Sequence, residues 1–176
     1  SGKGFGDPMN MNYWKAGIMF LIAFLIQTSL LNLVMIHGYT PHLILCLVIV
    51  LSFLYENRMY GVVFGAAFGV LYDICFSNFT GPTGISLVVV AIVILILREY
   101  ANIENILNIW IVSTISIFLY YALNWGLFHL AGNPIGFIYV LKKLPGEYIY
   151  SFAVITIMYF ILIRSAAKHR RDRYFR

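Results

Sequence analysis

Charged residues are scarce in this chain, at 11% of 176 residues, whereas 61% of the residues are hydrophobic. In ordinary globular domains, charged residues make up about a quarter of the sequence, because they cover the surface that faces water. The scarcity excludes an ordinary soluble domain and indicates an integral membrane protein. The apolar run at residues 16–36 has roughly the 20 residues that a helix needs to cross about 30 Å of hydrocarbon.

Cysteines and catalytic motifs are equally sparse. The two cysteines, Cys46 and Cys75, lie in apolar segments, which is typical of buried packing residues and not of a disulfide framework. The sequence contains no metal-binding histidine spacing, no Gly-x-Ser-x-Gly elbow and no phosphate-binding loop. We therefore predict a protein that is not an enzyme, with no catalytic residues, metal or cofactor. A weaker alternative is an intramembrane serine protease that uses Ser86 and His129.

Charged, glycine-rich and proline-rich breaks divide the chain into apolar segments that predict an all-helical bundle of six transmembrane helices. The segments are residues 16–36, 42–55, 59–76, 84–97, 108–130 and 147–164. The second and fourth have only about 14 residues, so a re-entrant course and a count of five helices stay open. A longer connection is expected from Ala131 to Gly146.

A single transmembrane domain is expected over residues 9–164. Residues 1–8 are glycine-rich and unlike the rest of the chain, which is typical of a cloning scar. Residues 165–176 form a basic tail, and the positive-inside rule predicts that this tail and both termini are cytoplasmic. The tail also fits attraction to anionic lipid headgroups. Nucleic acid is disfavoured, because no basic surface interleaved with aromatic residues occurs elsewhere.

The stretch from Tyr60 to Asp73 places glycines four residues apart on an apolar helix that ends in a carboxylate. Glycines at this spacing allow another helix to approach closely, and an acid within an apolar segment must face protein or water. The predicted face for helix packing or for binding a partner consists of Gly61, Gly65, Gly69, Tyr72 and Asp73. Self-association through the same glycines is also possible.

Further polar residues lie late in the first and fifth segments, toward the same end of the bundle as Asp73. The predicted interior polar cluster is Gln27, Asn32, Asp73, Asn124 and His129. Its side chains could fix helix register through hydrogen bonds of about 1 kcal/mol each, form a socket for a partner's helix, or line a cavity for a small polar ligand. Asp73 could pair with His129 or Lys142 across the bundle.

The glycine stretch also carries a resemblance to a known family. The pattern consists of Tyr60, Gly61, Gly65, Gly69, Leu71, Tyr72 and Asp73, followed by Gly81 and Gly84 in a turn. Together with the chain length, the basic tail and Leu144-Pro145 before the last segment, it resembles the MreD family of rod shape-determining proteins.

The resemblance implies a non-catalytic subunit of the bacterial elongation machinery in the cytoplasmic (inner) membrane. Its implied partners are an MreC-type bitopic membrane protein and, indirectly, an MreB-type filament and peptidoglycan synthases. It also implies a fold like that of the S components of energy-coupling-factor transporters. The alternative function is therefore an S component, which would hold a vitamin in the polar cluster.

Overall fold

The computed structural model describes residues 13–29, 42–54, 60–76, 80–102, 105–132 and 136–174. These residues form six helices and no strand, which confirms the all-helical prediction. The helices are α1 (Tyr13–Ser29), α2 (Leu43–Leu54), α3 (Tyr60–Phe76), α4 (Pro82–Arg98), α5 (Ile106–Leu130) and α6 (Phe137–Tyr174).

Two helices are long and apolar enough to cross a membrane by themselves: Ile106–Leu130 of α5 and Phe137–Arg164 of α6. The other four are apolar but shorter, at 12 to 17 residues. At 1.5 Å per residue, the 12 residues of α2 extend about 18 Å, which is less than the roughly 30 Å of the hydrocarbon core.

Helix α2 lies at the centre of the bundle. Apart from Ser52 it consists of apolar residues on every side, and such a helix is stable only where all its sides are covered. All residues from Ile44 to Leu54 are buried, and α2 contacts each of the other five helices. The shortest helix is therefore the core around which the others pack.

The remaining helices surround α2 in the order α1, α3, α4, α5, α6. Each contacts the next one in this order. Within the described ranges, however, α1 and α6 have no Cα atoms within 8 Å of each other. The ring that the described helices form is thus open between α1 and α6.

The outward faces of the surrounding helices are apolar. On α5, for example, the side chains of Leu107, Ile111, Ile115 and Phe118 are all exposed, and their spacing of three or four residues places them on one face. Exposed apolar area of this extent on every outer helix is a liability in water but suits contact with lipid.

The sixth segment begins earlier than its sequence predicts. Helix α6 begins at Phe137 and contains Pro145, so the long connection expected from Ala131 to Gly146 is wrong. The lysines and the Pro-Gly pair were interpreted as loop signals, yet Lys143 and Glu147 form an ion pair at i and i+4 with 3.0 Å between Nζ and Oε1. This pairing favours the helix, which continues to Tyr174 through most of the basic tail.

Candidate functional site

Asp73 lies at the junction between α3 and α4. Its side chain is fully buried, and Oδ2 accepts hydrogen bonds from the backbone N–H groups of Gly81, at 3.0 Å, and Thr83, at 2.9 Å. Gly81 precedes α4 with a φ of +125° and provides no side-chain cap of its own. A carboxylate from the preceding helix therefore caps α4, where the helix dipole favours negative charge. Among the described residues, Oδ1 of Asp73 has no hydrogen-bond partner.

The glycines before Asp73 pack within the chain. A Cβ atom on Gly69 would lie 2.7 Å from the Cα atom of Gly84, so α3 and α4 approach backbone to backbone at this point. A Cβ on Gly65 would lie 3.2 Å from Cγ2 of Val48 in α2. Gly65 and Gly69 thus bring α3 against α4 and α2. Gly61 lies in the first turn of the same helix, and a partner-binding role for this face stays a prediction.

The N-terminus of α2 is also capped by side chains. Oε1 of Gln27 in α1 accepts a hydrogen bond of 3.2 Å from the N–H of Ile44, and Nδ1 of His42 accepts one of 3.4 Å from the N–H of Leu45. Buried helix ends require such partners because their first N–H groups have none within the helix. Both α2 and α4 therefore begin at polar side chains.

His42 connects this cap to α5 and α3. Its Nε2 atom lies 2.9 Å from the hydroxyl oxygen of Tyr120, and its ring lies 5.5 Å from that of Tyr72. The Tyr120 hydroxyl also accepts a hydrogen bond of 3.0 Å from Nδ2 of Asn124. Together with the capped start of α4, polar groups from α1 to α5 thus meet at one end of the bundle.

A second polar group joins α5 to α6. Glu147 is buried, with 6% of its surface exposed, although its side chain carries a carboxyl group. Its Oε2 accepts a hydrogen bond from the hydroxyl of Tyr121, and its Oε1 binds Lys143. A buried carboxylate is tolerated when it is both paired and hydrogen-bonded, and Glu147 meets both conditions.

These capping and hydrogen-bonding groups are together called the polar network. The structure brings together part of the predicted polar cluster in it. Gln27, Asp73 and Asn124 lie in the network, whereas Asn32 lies outside the described residues. His129 is exposed and stacks on Trp125, with 5.5 Å between the ring centres. The bonds of Asp73 Oδ2 go to backbone N–H groups and not to His129 or Lys142.

Sequence reasoning missed several members of the network, namely His42, Tyr120, Tyr121, Lys143 and Glu147. A usable signal was the run Tyr120-Tyr121-x-x-Asn124, which puts hydroxyl and amide groups within one turn of an apolar helix. A second signal was Glu147, an acid four residues after a lysine. Both were interpreted as ordinary features of a segment or a loop.

The polar network holds the helices together. Its donors and acceptors bind each other and helix ends, and no three His, Cys, Asp or Glu side chains meet as a metal site in the parts of the chain that the structure describes. For the serine protease alternative, the observed partners are local: Ser86 donates to the carbonyl of Pro82 in α4, and His129 stacks on Trp125 in α5. Neither contact links a nucleophile to a base.

A buried central helix, apolar outer faces and hydrogen bonds that tie helices together define a helical membrane protein. A family model described as rod shape-determining protein MreD matches residues 9–166. The chain therefore belongs to the MreD family, as the glycine pattern predicted, and has a role in rod shape determination. No curated protein and no solved structure matches the chain.

Proposed function

We propose that this protein is a non-catalytic scaffold subunit of the bacterial elongation machinery. In this role it binds an MreC-type bitopic protein and so helps to link an MreB-type filament to cell-wall synthesis. Six crossings of the inner membrane with both termini in the cytoplasm fit this proposal, because Arg98 ends α4 and Arg164 ends the apolar span of α6, and the two helices run toward the same side.

The opening between α1 and α6 carries the proposal. Within the described residues, helix α1 contacts only α2 and α3, and its outward face exposes large apolar side chains such as Ile22 and Ile26. A single transmembrane helix of a partner would cover this face and complete the ring around α2. We propose the opening as the docking surface, and helix packing as the role of Gly65 and Gly69.

The polar network supports the scaffold function because its hydrogen bonds join helices of the chain to each other. Interhelical hydrogen bonds in membrane proteins contribute about 0.6 to 2 kcal/mol each, so the network stabilises one arrangement of the helices. A scaffold needs such a fixed shape, because its partner recognises a surface that does not depend on a ligand.

The alternative function is a vitamin-binding S component. The contacts observed at the starts of α2 and α4 do not favour it, because N–H groups there already bind Gln27, His42 and Asp73. In the S-component case Asp73→Asn should weaken binding of a vitamin and leave association with partners intact. In the scaffold case no vitamin should bind to the purified protein.

Site-specific photo-crosslinking in native membranes tests the docking surface. A photoreactive amino acid would replace Ile26 of α1, on the face away from its α3 contacts, or Ile157 of α6; both are exposed residues of the helices that border the opening. Matched controls would replace Ile92 of α4 and Ile111 of α5, which are also exposed and apolar but belong to helices that do not border the opening.

We expect an MreC-type protein to be crosslinked from Ile26 and Ile157 and not from Ile92 and Ile111. Equal crosslinking from all four positions would refute the location of the docking surface. Crosslinking to the membrane subunit of an energy-coupling transporter would refute the scaffold function and support the alternative.

A further inference from the structure

A groove lies at the opposite end of the bundle from the polar network. It has a volume of about 590 Å³ and is lined by Asn102, Asn105, Ile106, Tyr159, Phe160 and Ile163. Asn105 precedes α5 and is 15 residues from Tyr120, which corresponds to about 22 Å along the helix. The groove is therefore separate from the site described above.

The lining of the groove changes from polar to apolar. Asn102 and Asn105 provide amide groups at the end near the loop between α4 and α5, whereas Ile106, Phe160 and Ile163 provide apolar walls. Phe160 is 45% exposed, so its ring is available to a molecule that enters between α5 and α6. A ligand of this groove must itself have one polar end and an apolar remainder.

The charge beside the groove determines the sign of the polar end. Arg164 is exposed and follows Phe160 by four residues, so the two lie on the same face of α6. The chain beyond it carries five further cations and a single acid, Asp172. In the sequence, Arg98 at the end of α4 adds one more cation, and the stretch between α4 and α5 adds two more acids, Glu99 and Glu104. Counted over these segments of the sequence, seven cations stand against three acids, and this excess matches an anionic headgroup.

We propose that this groove binds one molecule of an anionic phospholipid. Its phosphate lies near Asn105 and Arg164, and part of an acyl chain lies between Ile106 and Phe160. The volume is within the roughly 300 to 1,000 Å³ of typical small-molecule sites. A lipid fits better than an acidic peptide, because α5 and α6, the two helices long enough to cross a membrane, form the groove walls.

Native mass spectrometry of the full chain in detergent tests the proposal. The probes are phosphatidylglycerol and phosphatidylcholine with identical acyl chains. We expect one tightly held phosphatidylglycerol per chain and weaker binding of phosphatidylcholine. Loss of a cation near the lipid surface should weaken binding about fivefold, so Arg164→Gln should do so, whereas Lys142→Gln, at the other end of α6, should not.

A second pair of variants separates the groove from the basic tail. Phe160→Ala removes a groove wall and should weaken phosphatidylglycerol binding at least about threefold. Ile161→Ala, at an exposed neighbour that does not line the groove, should leave binding unchanged. Because both side chains are exposed, neither variant is expected to disturb folding.

The possible results distinguish the occupants. If Arg164→Gln weakens binding and Phe160→Ala does not, the lipid binds the basic tail and the groove proposal is wrong. Equal binding of the two lipids, or equal binding by all variants, also overturns it. A photoreactive residue at position 160 that captures a protein and no lipid in native membranes would refute the proposal in favour of a peptide.

Discussion

Replacing Gly69 with alanine should force α3 and α4 apart. The added Cβ atom would lie 2.7 Å from the Cα atom of Gly84, whereas ordinary van der Waals contact begins at 3.4 Å, so one backbone must move by about 0.7 Å. Overpacking of this kind costs about 1 to 3 kcal/mol. The better helix propensity of alanine offsets about 1 kcal/mol of that cost. The net loss of stability should be about 0 to 2 kcal/mol.

Gly126 provides a matched control for this substitution. It lies inside α5, and a Cβ atom there would have no heavy atom within 4 Å. Gly126→Ala should therefore keep or raise stability by up to about 1 kcal/mol. Gly65→Ala should fall between the two, because its Cβ would meet a methyl group of Val48 at 3.2 Å and side chains shift more easily than backbone.

Reversible unfolding by SDS in mixed micelles, followed by circular dichroism, measures these differences. We expect Gly69→Ala to unfold at a lower SDS fraction than Gly126→Ala, with about 2 kcal/mol between them. A Cβ atom on Gly84 would lie 2.9 Å from Cγ2 of Val70, also in α3. Adding Gly84→Ala to Gly69→Ala should cost less than the sum of the two single changes, because one separation of α3 from α4 relieves both clashes. Equal stability of Gly69→Ala and Gly126→Ala would refute the close approach of α3 and α4.

Three further predictions use the same unfolding assay. Asp73→Ala leaves two buried N–H groups without an acceptor and should cost about 2 to 4 kcal/mol of stability. Asp73→Asn keeps an acceptor and should cost about half as much. Equal losses for the two variants would contradict the capping role. Tyr121→Phe removes the hydroxyl that binds Glu147 and should cost about 1 to 3 kcal/mol, and the effect should vanish in a Glu147→Leu background. Trp110→Phe removes a hydrogen bond of 3.3 Å to Thr156 and should cost about 1 kcal/mol, with no further loss when Thr156→Val is added.

The presence of the helices could be predicted from the sequence, because long apolar segments in lipid must be helical. The central position of α2 could not be predicted from the sequence. Its residues are apolar on all sides, and such a helix can face lipid or protein equally well. Only the packing of the other helices around it shows that Ile44 to Leu54 form the core.

The candidate site was predictable where a polar residue interrupts an apolar run. Gln27, Asp73 and Asn124 stand out in this way, and all three lie in the network. Tyr120 and Tyr121 do not, because the chain has 13 tyrosines and most positions suit an amphipathic ring at a membrane surface. What Asp73 binds also depends on the turn after α3, which brings Gly81 and Thr83 back toward it.

The caps of the two interior helix ends follow the direction of synthesis. Gln27 precedes Ile44 in the chain, and Asp73 precedes Gly81 and Thr83, so each acceptor emerges from the ribosome before the N–H groups that need it. The start of α2 consequently meets a hydrogen-bond partner that has already been inserted, and not bare hydrocarbon. Residue order is thus also an order of assembly. A circular permutant with α1 after α6 would reverse that order for α2 and require the N–H group of Ile44 to enter the membrane without Gln27.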